Sequence, residues 1–208
     1  MNSTNIGGSL IKYHRERLGI TQKELYQGIC VVSHLSKIEN NKVEPSPEIV
    51  EELFKKLGIK YYNDAEFLDR NQEKIDRFFH NLNFYRKTNH IFKEIEEHRD
   101  NFLNSPLIID YLLLEAYSCR NKTNIERLSE LEIYMNNFQE GWFYLLKAKF
   151  ISNGEENVIR EWIMKSHGLL RNSFSLLTLM EFELGRGNFN KVIELGPEII
   201  NLGLIEGN

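Results

Sequence analysis

Cysteine is nearly absent from this 208-residue chain: Cys30 and Cys119 stand far apart, with no partner at metal-ligand spacing. That excludes a disulfide framework and a zinc ribbon, and it fits two free, buried thiols in a reducing compartment. Long apolar runs are missing too. Leu112–Leu114 and Trp142–Leu146 fall far short of the ~20 residues that cross a bilayer. No basic stretch near Met1 leads into an apolar one, so no secretory signal is read. No run of four or more residues alternates cleanly as a strand between turn residues. Catalytic signatures are lacking as well: there is no G-x-S-x-G, no phosphate-binding glycine loop and no His-Glu-x-x-His, and Gly7-Gly8 merely precedes a helix. His90, Glu94 and His98 lie at i, i+4 and i+8, yet Lys93, Glu96, Glu97 and Arg99 between them read as a solvated charged face. The expectation is an all-α, cytoplasmic, non-enzymatic protein with no metal or cofactor and no membrane partner.

What is present is charge, unevenly placed. The chain carries a net −4, but residues 1–63 hold nine Lys/Arg against seven Glu, so the remainder is the acidic part. A basic head on an acidic body suits a reader of nucleic acid joined to a module with another partner.

Helix punctuation is clear in the head. Gly8–Leu18 reads as a first helix, ended by Gly19. Thr21 with Glu24 three residues on forms a capping box opening a second helix, Gln22–Gly28. A tight turn, Gly28–Val31, leads to a third helix over Val32–Asn40. After a loop holding Pro45, Ser46 or Pro47 opens a fourth helix that Gly58 stops. Leu25, Ile29, Leu35 and Ile38 supply a small core that sets the angle between helices two and three.

Beyond Tyr62 the pattern shifts to longer, aromatic-rich amphipathic helices, predicted at 64–85, 89–103, 106–119, 123–136, 139–152, 156–170, 173–186 and 189–202. The stripe of Phe78, Phe79, Phe84 and Tyr85 reads as core. Breaks at Asn121, Asn153-Gly154 and Arg186-Gly187-Asn188 recur at 33-residue spacing, each preceded by a similar helix around Leu114, Leu146 and Leu179. A helical pair recurring near 34 residues is the tetratricopeptide signature, with a plain helical bundle as the other arrangement. The division expected is 1–63 for the head and 64–208 for the repeat body.

The run Thr21-Gln22-Lys23-Glu24-Leu25, followed by Ser36-Lys37-Ile38-Glu39-Asn40-Asn41-Lys42, resembles the Xre (phage-repressor) helix-turn-helix family over roughly residues 8–58. That resemblance implies a lambda-repressor-like domain whose third helix enters the major groove of double-stranded operator DNA. It puts Val32, Ser33, His34 and Lys37 on base edges, with Lys37 suited to guanine and Val32 to a thymine methyl. Gln22, Asn41 and Lys42 are expected on phosphates, with Lys23 and Lys12 as outer contacts. In this family a first-helix arginine pairs with the glutamate ending helix three, which makes Arg15 and Glu39 a structural clamp. Val31 departs from the usual Ser/Thr cap of helix three. Asn41 stands at the usual glycine, in a left-handed position that Asn tolerates.

Domain order and size also resemble the Rgg/PlcR-type regulators of Gram-positive bacteria. The resemblance implies quorum-sensing control by a short signalling peptide held on the repeats, and dimerisation. Peptide-holding candidates on the first helix of each pair are Tyr111, Glu115, Tyr144, Lys147 and Glu181, with Asn136, Asn137 and Gln139 at one rim. Val192, Ile193, Ile199, Ile200, Leu202, Leu204 and Ile205 leave apolar surface after the last pair, where solenoids normally finish on a polar face, which points to a subunit interface or to a protein shortened at its C-terminus. A homodimer contact is the expectation, because readers of this kind need two half-sites about one DNA turn apart. A protein-interaction adaptor and a prophage-type repressor with no small ligand are the alternatives.

Overall fold

The computed structural model describes residues 6–151 and 155–206. Among them every regular element is helical. The contacts divide the chain into two compact units, one formed by residues up to Asn71 with His98–Ile108, the other by Gln72–Glu97 with the residues from Ile109 on.

The first unit is built on α1 (Ile6–Arg17), α2 (Gln22–Tyr26), α3 (Val32–Glu39) and α4 (Pro47–Lys56). Three of these helices end alike. Gly19, Asn41 and Gly58 adopt left-handed backbone, φ +67°, +51° and +72°. In each case the next N–H reaches back to a carbonyl of the preceding turn: Ile20 to Arg15, Lys42 to Lys37, Ile59 to Phe54. This αL closure satisfies carbonyls the helix would leave open, and Asn enters it more cheaply than most side chains do. Helix α2 begins on the predicted box. Glu24 N–H donates to the Thr21 hydroxyl at 3.2 Å and Thr21 N–H to the Glu24 carboxylate at 2.7 Å. It is shorter than expected because Gln27 turns to ψ 120° and Gly28 to φ +85°.

Leu10, Ile11, Leu25, Leu35, Ile38, Leu53 and Phe54 fill this unit's core; Ile29 is only half-buried. Helix α1 starts two residues early, and all of Ile6–Ile11 is buried. The reason lies at Gly8. A Cβ there would sit 2.0 Å from the Ile38 carbonyl oxygen, so α1 and the end of α3 touch through backbone.

Helix α5 (Ala65–Asn83) carries the chain from one unit to the other. The predicted helix 89–103 is in fact two, α6 (Asn89–Glu96) and α7 (Arg99–Leu103). His98 leaves helical geometry at φ −116°, ψ 27°. Ile91 and Ile95 are buried in the second unit, while Phe102 packs on Phe67 in the first. The charged run between them has nothing to bury, and His98 no longer continues the face of His90 and Glu94.

The second unit stacks helix pairs in tetratricopeptide-like order: α8 (Ile108–Cys119) with α9 (Lys122–Glu130), α10 (Asn137–Phe150) with α11 (Glu156–Leu170), α12 (Ser173–Gly185) with α13 (Phe189–Glu206). From α9 onward each helix packs on the next in sequence. The repeated register is real in packing terms, since Leu114, Leu146 and Leu179 are all buried. Asn121 caps α9, accepting from Thr123 N–H at 3.0 Å, and Gly187 turns the chain between α12 and α13 at φ +74°. The Asn153-Gly154 break lies outside the described residues. The helix predicted to reach 136 stops at Glu130, followed by a 3-10 turn, because Asn136 and Gln139 form a capping box that opens α10. Gln139 also donates to the buried Asp110 carboxylate at 2.9 Å, tying α10 to α8. Ala148, Ile163 and Leu179, with Trp162 and Leu195, join the last four helices in one cluster.

Candidate nucleic-acid interface

Helix α3 buries one side and exposes the other. Leu35, Ile38 and Glu39 face inward, and at 100° per residue Ser33 and Lys37 fall opposite them, both exposed. Val32, in the first turn, falls on the flank next to Glu39 and is nevertheless 48% exposed, while His34 lies between the two faces and is half-buried. Val31 is the N-cap; its side chain makes no capping bond and is 65% exposed.

One carboxylate orients the three helices beneath this face. Glu39, 1% exposed, accepts from Arg15 Nε at 2.5 Å and Nη2 at 2.9 Å, and from Gln22 Nε2 at 2.6 Å. Arg15 also donates to the Ile20 carbonyl at 3.1 Å, which fastens the α1–α2 turn. The paired carboxylate raises the Arg15 guanidinium above its ordinary value. Such a bidentate, largely desolvated pair fixes geometry more than a surface pair does.

The phosphate candidates divide. Lys23 and Lys42 are exposed and Lys12 is half-buried. Gln22 is turned inward onto Glu39, so one amide N–H is committed to the protein. Asn41 likewise donates to the Ser9 hydroxyl at 2.7 Å. Both amides found partners within the fold, which a linear motif does not display.

Most of the body candidates are buried. Tyr111 is fully buried and donates to Glu96 at 2.6 Å, and Glu115 is buried and accepts from Asn124 at 2.5 Å. Tyr144 is buried with its hydroxyl on Glu132. Gln139, placed at the rim by the sequence, is buried on Asp110. Their polar atoms find partners on neighbouring segments of the same unit, which the choice of residue type on the first helix of each pair does not reveal. Glu181 is exposed. The Lys147 ammonium sits 4.9 Å from the Phe143 and Trp162 ring centres and 5.3 Å from that of Tyr144. Trp162, and Lys165 at 4.0 Å over Tyr144, belong to this cluster and were not read from the sequence. The buried-thiol expectation also needs correcting: Cys119, at the open end of α8, is exposed, and Cys30 is half-buried. On α13, Val192, Ile199 and Leu202 turn toward the stack, while Phe189, Ile193 and Ile200 are 61%, 73% and 65% exposed. Among the described residues no cluster of three His, Cys, Asp or Glu is placed to hold a metal, and no helix is long and apolar enough to cross a membrane.

Residues 11–62 match the helix-turn-helix family model, and the N-terminal segment is a helix-turn-helix domain. No curated protein matches the chain. Among solved structures it is similar to PlcR of Bacillus thuringiensis, crystallised with the peptide PapR7 and DNA. Identity is 18% and the TM-score 0.46, over 97% of this chain and 81% of that one. An overlap that loose assigns neither ligand nor assembly to this chain.

Proposed function

We propose that the chain is a sequence-specific, DNA-binding transcription regulator of the cytoplasm rather than an enzyme, acting as a homodimer on paired half-sites. One observation carries the reading: in a helix-turn-helix domain, the face of α3 opposite its buried side is polar and cationic, through Ser33 and Lys37. Lys23 and Lys42 are exposed in the same unit, available for the salt-dependent phosphate contacts such readers use. Ser33, Lys37, His34 and Val32 are the base-contacting residues in this reading. Lys23, Lys42 and Lys12 serve phosphates, with Gln22 and Asn41 contributing what their internal bonds leave free. Arg15 and Glu39 hold the scaffold. Selection of bound sequences from random duplex DNA at a stated salt concentration tests it. A palindromic consensus, weakened by Lys37→Ala, is expected; no enrichment at about 50 mM salt overturns it.

The regulator's body takes a short signalling peptide in this reading. The stack of helix pairs supports it, since stacked repeats present extended binding surfaces, and of the candidates Glu181 is exposed and Lys147 half-buried. A thermal shift with candidate peptides tests this part separately. The exposed stripe of α13 serves the homodimer. It also favours a second reading, a protein-interaction adaptor, which a tight protein complex without a DNA footprint would single out.

A further inference from the structure

Two adjacent aliphatic side chains stand exposed where α3 begins. Val31 occupies the N-cap with extended backbone, φ −90° and ψ 153°, and Val32 is the first helical residue. At an N-cap, Ser, Thr, Asp or Asn would accept from a free backbone N–H and stabilise the helix by about 1 kcal/mol; valine forgoes that. Neither valine belongs to the core, which Leu10, Ile11, Leu25, Leu35, Ile38, Leu53 and Phe54 fill. Among the described residues of this unit, Leu18, Val31 and Val32 are the large apolar side chains left exposed. The two valines are followed by exposed Ser33 and Lys37, so the apolar tip abuts a polar, cationic face rather than a wider apolar patch. That composition suits an occupant that is anionic overall and carries small apolar projections. Duplex DNA fits: in the major groove the only apolar group on a base edge is the 5-methyl of thymine.

We infer that Val31 and Val32 together read 5-methyl groups, selecting one or two adjacent 5-methylated pyrimidines in each half-site. The inference rests on the DNA-reading proposal and adds Val31 to it as a specificity-determining residue. Because the methyl rather than the base pair is read, 5-methylcytosine should replace thymine at the same position better than cytosine does.

The test uses the full chain and its selected operator. Each thymine is changed singly to deoxyuridine, which removes the methyl alone, and affinity is measured at constant salt. One or two adjacent positions are expected to lose roughly three- to fivefold each, the factor for one buried methyl, with the rest nearly unchanged. Restoring the methyl as 5-methylcytosine, with guanine opposite, is expected to bind more tightly than unmethylated cytosine there. The double variant Val31→Ala, Val32→Ala, checked for native helicity, keeps only a short apolar stub at each position and is expected to separate thymine from uracil operators clearly less than the wild type does. If uracil is tolerated everywhere while the operator still binds, the methyl inference falls and DNA reading stands. If the alanine variant keeps the thymine preference, the methyl is read elsewhere and the inference also falls. If no duplex is selected, both proposals fall together.

Discussion

Gly8 and Gly168 both lie inside helices, yet the same substitution is expected to act on them in opposite directions. In a helix interior alanine is favoured over glycine by about 1 kcal/mol, mainly because glycine has more backbone freedom to lose. At Gly168 in α11 nothing lies within 4 Å of an added Cβ, so Gly168→Ala should gain about 0.5–1 kcal/mol. At Gly8 the new atom would meet the Ile38 carbonyl oxygen at 2.0 Å, the Ile38 carbonyl carbon at 2.9 Å and the Asn41 amide oxygen at 2.7 Å. Two of those atoms are backbone, so α1 and α3 must separate. Overpacking of this kind costs about 1–3 kcal/mol, and contact with backbone puts Gly8→Ala at the upper end. After the propensity gain, a net loss of about 2 kcal/mol remains, or about 4–8 °C in Tm for a chain of this size. Both tryptophans, Trp142 and Trp162, lie in the second unit, so fluorescence would not report the change. Helix circular dichroism in urea, with amide exchange of α1 and α3, is the appropriate assay. Faster exchange in α1 and α3 is expected for Gly8→Ala, and none in α11 for Gly168→Ala. Wild-type stability in Gly8→Ala would refute the close approach.

Three further outcomes follow from buried polar groups and the left-handed turn. Burial drives the Asp110 carboxyl up from 3.8 to about 6, with Gln139 opposing and Asp76 adding to the rise. The native state thus binds more protons than the unfolded chain between about pH 4 and 6. Stability is expected to fall as pH rises through that window and to level off above it. Asp110→Asn keeps an acceptor for Gln139, so urea titrations should show about 1–3 kcal/mol more stability at pH 7 and a flatter pH 4–6 profile. Glu39→Ala strands the Arg15 guanidinium and should cost about 3 kcal/mol in urea denaturation, with Glu39→Gln intermediate. Asn41→Gly loses the Ser9 bond but relieves the left-handed backbone, and should lie within about 0.5 kcal/mol of wild type. Asn41→Ala suffers both losses, about 1–2 kcal/mol by the same measurement.

The head was legible because its punctuation is local: the Thr21–Glu24 box and the left-handed residues at 19, 41 and 58 act within a few residues of themselves. The split at Glu97–His98 was not. Ile91, Ile95 and Phe102 keep one helical phase, and only the destination of each, one unit or the other, breaks the helix. The early end of α9 was written in Asn136 and Gln139, but a capping box and a rim of ligand-binding amides use the same residue types. Polar side chains at Tyr111 and Glu115 misled for a related reason. A pattern of apolar spacing marks which way a helix faces, not whether a hydroxyl or carboxylate finds its partner inside. Gln22 and Asn41 show the same limit in the head, where their amides are held by Glu39 and Ser9.

The division of labour on α3 has an evolutionary meaning. Its anchoring contacts run through Glu39, Ile38 and Leu35, whereas Ser33 and Lys37 point the other way. Under the proposed DNA reading, the residues that decide which sequence is bound can therefore be exchanged without disturbing those that keep the domain folded. A lineage carrying this head can drift to new operators by surface replacements alone, each tested on DNA rather than on survival of the fold.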